Sequence, residues 1–231
     1  MSETALLNEK IKNQVHNFEE SLTPSFPKGN MLIELSNICN HQCIFCANKK
    51  MKRKKGYMDF DFCINILKQA YAEGTREVGF YATGEPLVYP RLAEVVKNAK
   101  QIGFDYTYIT TNGALLTEAK MIELIDAGLD SIKFSLNATD RETYKLIHGR
   151  DDFDKVIEHL KMLYNYRKTT GKNFKIFISH VATRFTEERL HEFKEKYSQY
   201  CDDIVFVPVA NQCGSNSEME NHLTCQKIRI Y

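Results

Sequence analysis

The sequence lacks several things that would settle its class at once. It has no tryptophan, and only 5 prolines and 11 glycines among 231 residues. That excludes collagen and low-complexity linkers. No apolar run approaches 18 residues, so no membrane-spanning helix is expected. Met1 to Glu20 is polar and of mixed charge, without the apolar centre of a signal peptide. There is no large excess of either charge: 31 basic against 30 acidic residues give +1. A globally basic nucleic-acid binder is therefore disfavoured. Neither a Gly-rich dinucleotide fingerprint nor a P-loop is found. There is no internal repeat.

What is present suits an ordinary globular domain. Hydrophobic residues make up 43% and charged residues 26%, enough to bury a core without disulfides. Seven cysteines without a secretion signal read as reduced thiols, in the cytoplasm. Cys63 and Cys201 lie in periodic segments and read as small buried fillers.

Strand-like runs are expected at Leu32–Ser36, Glu77–Tyr81, Tyr106–Thr110, Ser131–Leu136, Phe174–Val181 and Ile204–Val207. Helical patterns alternate with them. Asp59 is expected to cap a helix stopped by Gly74, and a second runs from Pro90 to Ile102. A third follows Thr117, and Thr139 with Glu142 forms a capping box for a fourth. Another spans Asp151 to about Thr170, and Thr186 opens the last. An earlier amphipathic helix is expected at Thr4–Glu20, followed by a connector over Ser21–Asn30. Strands alternating with helices imply a parallel α/β sheet, open or curled into a barrel, with functional groups at the strands' C-terminal ends.

The chemistry collects at those ends. Cys39, Cys43 and Cys46 follow the first strand with spacing C-x3-C-x2-C. Soft thiolates this close suit one iron–sulfur cluster, or zinc with His41 as fourth ligand. Three thiolates on a four-iron cluster leave one iron open to a substrate or cofactor.

This motif resembles that of the radical S-adenosylmethionine (radical SAM) enzymes. The resemblance covers roughly Asn30 to Pro208. It implies a partial (β/α)6 barrel, a [4Fe-4S] cluster on Cys39, Cys43 and Cys46, and SAM on the open iron. Phe45 matches an aromatic position that packs near the adenine. Thr83, Gly84, Glu85 and Pro86 are similar to a Gly-Gly-Glu-Pro segment that accepts the SAM ammonium, with Thr83 in place of the first glycine. Because Thr lacks glycine's freedom at positive φ, a local backbone difference is expected there. Ser135 and Asn137 match positions that bind the SAM ribose or carboxylate, and Arg150 is similar to an Arg that pairs with the carboxylate. Thr111-Asn112-Gly113 is assigned a turn.

The resemblance further implies reductive cleavage of SAM to a 5′-deoxyadenosyl radical that abstracts hydrogen from a peptide, sugar or small-molecule substrate. A glycyl-radical activase is an alternative within the family. A zinc-binding module, with its basic loop on nucleic acid, is the alternative outside it. Lys49 to Lys55, basic at six of seven positions, reads as a solvated face or as a dock for an acidic reductant such as flavodoxin or ferredoxin. Cys213 and Cys225 resemble the start of a SPASM or twitch extension. They are too few for an auxiliary iron–sulfur cluster alone, which is expected only in a longer form. The expected organisation is an N-terminal helix and connector at 1–29, a core at 30–208, and the start of the extension at 209–231.

Overall fold

The computed structural model describes residues 29–210. The expected N-terminal helix, the two late cysteines and almost all of the C-terminal extension lie outside these residues.

One six-stranded sheet runs in the order β1-β2-β3-β4-β5-β6, with every neighbouring pair parallel. Its strands are β1 (Gly29–Leu32), β2 (Thr75–Gly79), β3 (Tyr106–Thr111), β4 (Ser131–Ser135), β5 (Lys175–Ala182) and β6 (Asp203–Pro208). The helices are α1 (Phe60–Ala72), α2 (Leu92–Ile102), α3 (Glu118–Asp126), α4 (Arg141–His148), α5 (Phe153–Thr170) and α6 (Leu190–Tyr197). Sequential order and parallel pairing curl the sheet into a half-barrel, the expected partial (β/α)6 architecture.

Strand alternation decides the two faces. Val78, Ile109, Ile132, Phe134, Ile176 and Ile178 are fully buried and pack under the helices. Leu67, Val95, Val96, Leu124, Val156 and Leu160 meet them from the helical side. Each such side chain contributes about 1.5–3 kcal/mol by leaving water. The other face carries Tyr108, Thr110, Lys133, Ser135, Phe177 and Ser179, all half-buried.

Local chemistry ends the helices as expected at several points. Asp59 accepts the Phe62 N–H and caps α1, and Thr117 accepts the Lys120 N–H and caps α3. Gly103 ends α2 in the left-handed region.

Four expectations need correction. α4 is capped by Asp140, whose carboxylate accepts the Thr143 N–H and Thr143 hydroxyl, and not by the Thr139 box. Asp140 also carries the Arg189 ion pair, so it is the better-anchored of two adjacent caps. α2 starts at Leu92, with no side-chain cap on Arg91. The first strand is Gly29–Leu32 and not Leu32–Ser36. The alternation does continue, since Ile33 and Leu35 are buried, but past Ile33 the chain leaves β2. The Leu35 carbonyl accepts from Met58, and Ser36 bridges antiparallel to Tyr57. Residues 33–36 are extended, yet their partner is the loop before α1. Gly29 and Asn30, expected in the connector, belong to β1.

Candidate active site

The segment 37–48 leaves β1 and crosses the C-terminal end of the sheet. It is held from three sides. From the loop after β2, the Glu85 N–H donates to the Ile38 carbonyl at 2.8 Å. From α4, the carbonyls of Ile147 and His148 accept the N–H groups of Ile44 (2.9 Å) and Gln42 (3.0 Å). The last-turn carbonyls of α4, which have no partner inside the helix, are thus satisfied by the cysteine loop. From the loop's own end, Asn48 donates to the Asn37 and Thr83 carbonyls, both at 2.9 Å. Lys55 completes the closure through the Asn48 side chain (2.6 Å) and the Asn37 carbonyl (2.9 Å).

Within this frame Cys39, Cys43 and Cys46 are half-buried. Burial pushes the Cys39 and Cys43 thiols up, and the neighbouring cysteines push them further. Repulsion among three thiolates on one short loop is what a cationic centre would relieve. Backbone N–H groups already point at two of them: His41 at the Cys39 sulfur and Asn48 at the Cys46 sulfur, each 3.4 Å away. A set of clustered thiols with amide donors at the sulfurs fits an iron–sulfur cluster.

Gly84 shows why the second motif needs glycine. A Cβ built there would lie 2.0 Å from the Ser36 carbonyl oxygen. Its φ is not in the left-handed region, so the residue serves close backbone approach, not turn geometry. Thr83 stands beside it with its N–H 3.0 Å from Glu34 and its hydroxyl on the same carboxylate. Glu85 is buried and turned inward. It accepts from the Thr111 hydroxyl (2.6 Å), the Asn112 N–H (2.8 Å) and the Leu87 N–H (3.0 Å). Burial holds its carboxyl above the usual range, and these donors oppose that shift.

The structure brings most of the expected residues to this end of the sheet. Phe45 lies half-buried in the cysteine loop. Ser135 ends β4 on the concave face, with the Asn137 amide 3.4 Å from its hydroxyl. Asn137 itself is fully buried and spends its oxygen on the Val181 N–H at 2.6 Å. Arg150 is exposed, just past Gly149, which packs on Gln42 of the cysteine loop.

Three residues acquire roles that their motifs did not reveal. Asn112 makes its turn, accepting from Ala114, but its amide also bonds Asn40 at 2.8 Å and reaches the Cys39 sulfur at 3.9 Å. His148 sits 3.6 Å from the Cys43 sulfur. Lys55, read as one charge in a basic run, is a strut. It is as exposed as its neighbours, and only its bonds to two backbone carbonyls and the Asn48 side chain distinguish it, which sequence does not show. His41, weighed as a zinc ligand, turns its ring to His148 (3.3 Å) and Asp152 (3.1 Å).

Comparison with protein families matches residues 33–196 to the radical SAM superfamily. The chain belongs to the radical SAM superfamily. Its cofactors are accordingly a [4Fe-4S] cluster and SAM, and it is an enzyme and not a zinc-binding module. Among curated relatives, a "Probable GTP 3′,8-cyclase" of Saccharolobus islandicus strain M.14.25 is 37% identical over 170 residues, 73% of this chain and 53% of that protein. One of Saccharolobus solfataricus is 36% identical over 136 residues, 58% of this chain and 43% of that protein. The chain thus spans about half the length of the curated relatives it matches. Radical SAM enzymes also share its fold. Streptococcus suis SuiB bound to its precursor peptide SuiA aligns with a TM-score of 0.71 at 20% identity, over 90% of this chain and 45% of that one. The enzyme anSMEcpe with bound AdoMet, another name for SAM, aligns at 0.63 and 20% identity, over 80% and 52%. Among the described residues no helix is long and apolar enough to cross a membrane.

Proposed function

We propose that this chain is the SAM-cleaving core of an enzyme that removes hydrogen from a small anionic substrate carrying a planar ring, a purine nucleotide foremost. Cys39, Cys43 and Cys46 would hold the cluster. When bound, the cluster and SAM supply reductive cleavage to methionine and a 5′-deoxyadenosyl radical. This chain's residues do the rest. Gly84 and the Thr83 backbone offer the edge that receives the SAM ammonium, while Glu85 fixes that edge to Thr111 and Asn112. Ser135 offers a hydroxyl to the ribose or carboxylate, and Phe45 a ring to the adenine. Asn137 acts behind Ser135 as a positioning residue, and Arg150 reaches the SAM carboxylate from the rim. A reducing, cytoplasmic setting fits the free cysteines.

One observation carries the substrate class. Lys133, in the middle of β4, is half-buried on the concave face, has no carboxylate partner among the described residues, and stands 5.5 Å from the Tyr81 ring centroid. Burial holds its ammonium below the usual lysine range. Beside it the Thr110 hydroxyl is buried without a partner among the described residues, and Tyr81 and Tyr108 approach each other at 5.9 Å. An unneutralised cation among aromatic rings and a free hydroxyl suits an anionic group attached to a flat ring. The curated relatives named for GTP support the nucleotide.

The test is anaerobic turnover with SAM, a reductant and GTP deuterated at C3′. Closing a ring at that carbon requires loss of its hydrogen. The expected result is deuterium in 5′-deoxyadenosine, reduced at least tenfold by Lys133→Met. SAM cleavage without deuterium transfer would refute the nucleotide and leave the SAM chemistry standing.

A further inference from the structure

Behind the cysteine loop lies a buried file of polar side chains whose hydrogen positions follow from their partners. The Val181 N–H can only donate, so the Asn137 oxygen, 2.6 Å away, is its acceptor. That fixes the amide orientation and turns the Asn137 NH2 group toward His148 Nε2 at 3.1 Å. His148 Nε2 must therefore accept, and the ring's one proton sits on Nδ1. From Nδ1 two acceptors are within reach: His41 Nδ1 at 3.3 Å and the Cys43 sulfur at 3.6 Å. His41 Nε2 faces the Asp152 carboxylate at 3.1 Å and so carries a proton, leaving its Nδ1 to accept. The file has one direction, and its proton nearest the cysteines is shared between His41 and Cys43.

The ring has little freedom to leave. It is fully buried and stacks on Tyr144 at 4.1 Å with 14° between planes. Its own backbone carbonyl holds Gln42, the residue before Cys43.

We propose that His148 is a positioning residue that donates its Nδ1 proton to the Cys43 sulfur and thereby raises the reduction potential of the cluster bound there. This rests on Cys43 as a cluster ligand. An N–H bond to a ligating sulfur draws electron density from it. It therefore stabilises the reduced cluster, which carries one more negative charge, over the oxidised one. His41 competes for the same proton and moderates the effect.

Two variants should move the potential in opposite directions. His148→Phe keeps the stack on Tyr144 and removes the proton, so the midpoint in a redox titration read by electron paramagnetic resonance should become more negative. His41→Phe removes the competitor, so the bond to Cys43 tightens and the midpoint should become more positive. A merely structural role would change cluster loading without opposite shifts. In the reduced wild-type enzyme with 15N-labelled histidine, electron–nuclear double resonance should show an exchangeable proton and a histidine nitrogen coupled to the cluster. That measurement decides the matter even if His148→Phe fails to load. Absence of the coupling, or shifts of the same sign in both variants, would overturn the proposal. So would one zinc ion per chain lost on His148→Phe, because His41, Cys43 and His148 have donor atoms within 4.8 Å of one another. A Cys43→Ala variant with an unchanged cluster spectrum would fail the ligand reading itself, a result distinct from the others.

Discussion

Gly84 is the residue at which the account is most exposed to a single substitution. Gly84→Ala places a methyl group 2.0 Å from the Ser36 oxygen, a backbone atom that cannot step aside alone. The expected cost is roughly 3 kcal/mol or more, with loss of iron loading, because Ser36 leads directly into the cysteine loop. Gly56→Ala, with nothing within 4 Å of its Cβ, should be near neutral. Urea melts and iron counts on the pair check this. Glu85→Gln turns an amide group toward donors and should cost about 1–3 kcal/mol. SAM affinity should fall with it, as measured by calorimetry on the cluster-loaded protein. At this scale the sequence was most informative where chemistry demands a residue type: three thiols, a glycine, a buried acid. It was mute about His148 and Asn112, whose importance comes from what lies opposite them across 105 and 73 positions.

Among the elements, the loop over 49–55 divides its charges between two jobs. Arg53 pairs with Glu34 at 2.6 Å, and Lys55 braces Asn37 and Asn48. Lys49, Lys50, Lys52 and Lys54 stay exposed. Replacing those four by Gln should slow reduction by flavodoxin and flatten its salt dependence, leaving reduction by dithionite unchanged. Equal flavodoxin rates at low salt would make the loop a solvated face. Lys55→Gln should instead loosen the cysteine loop and lower iron content.

β5 and α6 carry a different liability. His180 is buried against Phe193 at 4.3 Å, and burial lowers its pKa from 6.5 to about 4. The unfolded chain therefore binds a proton at pH 5 that the folded one does not. Stability should fall as pH drops from about 6.5 to about 4, by about 3 kcal/mol from this ring alone. His180→Phe should flatten that slope in denaturant melts taken across the range. Element boundaries were legible where caps were unambiguous, as at Asp59 and Thr117. They were not at Thr139 and Asp140, where two competent caps are adjacent and the tertiary ion pair to Arg189 selects one. Nor was the end of β1, because apolar alternation records burial and not which backbone supplies the partner.

For the whole molecule, alternating strand and helix patterns predicted a parallel sheet, the resemblance to radical SAM enzymes implied its half-barrel form, and the observed sheet runs in sequential order throughout. Period-2 alternation marked the core face, since Ile132 and Phe134 are buried while Lys133 and Ser135 between and after them are not. What the pattern could not convey is how segments 37–48, 83–87 and 111–114 interlock at one end of the sheet. Their bonds run largely between backbone and polar side chains and leave no periodic trace. The central claim is that this end holds one iron–sulfur cluster on Cys39, Cys43 and Cys46 and cleaves SAM there. The direct measurement is iron, sulfide and 5′-deoxyadenosine on protein purified without oxygen, beside the variant with all three cysteines changed to Ala. The account predicts about four irons and four sulfides per cluster and reductant-dependent 5′-deoxyadenosine in the wild type, with both lost in the variant. Full iron and colour in the triple variant, or S-adenosylhomocysteine as the only SAM product, would contradict it.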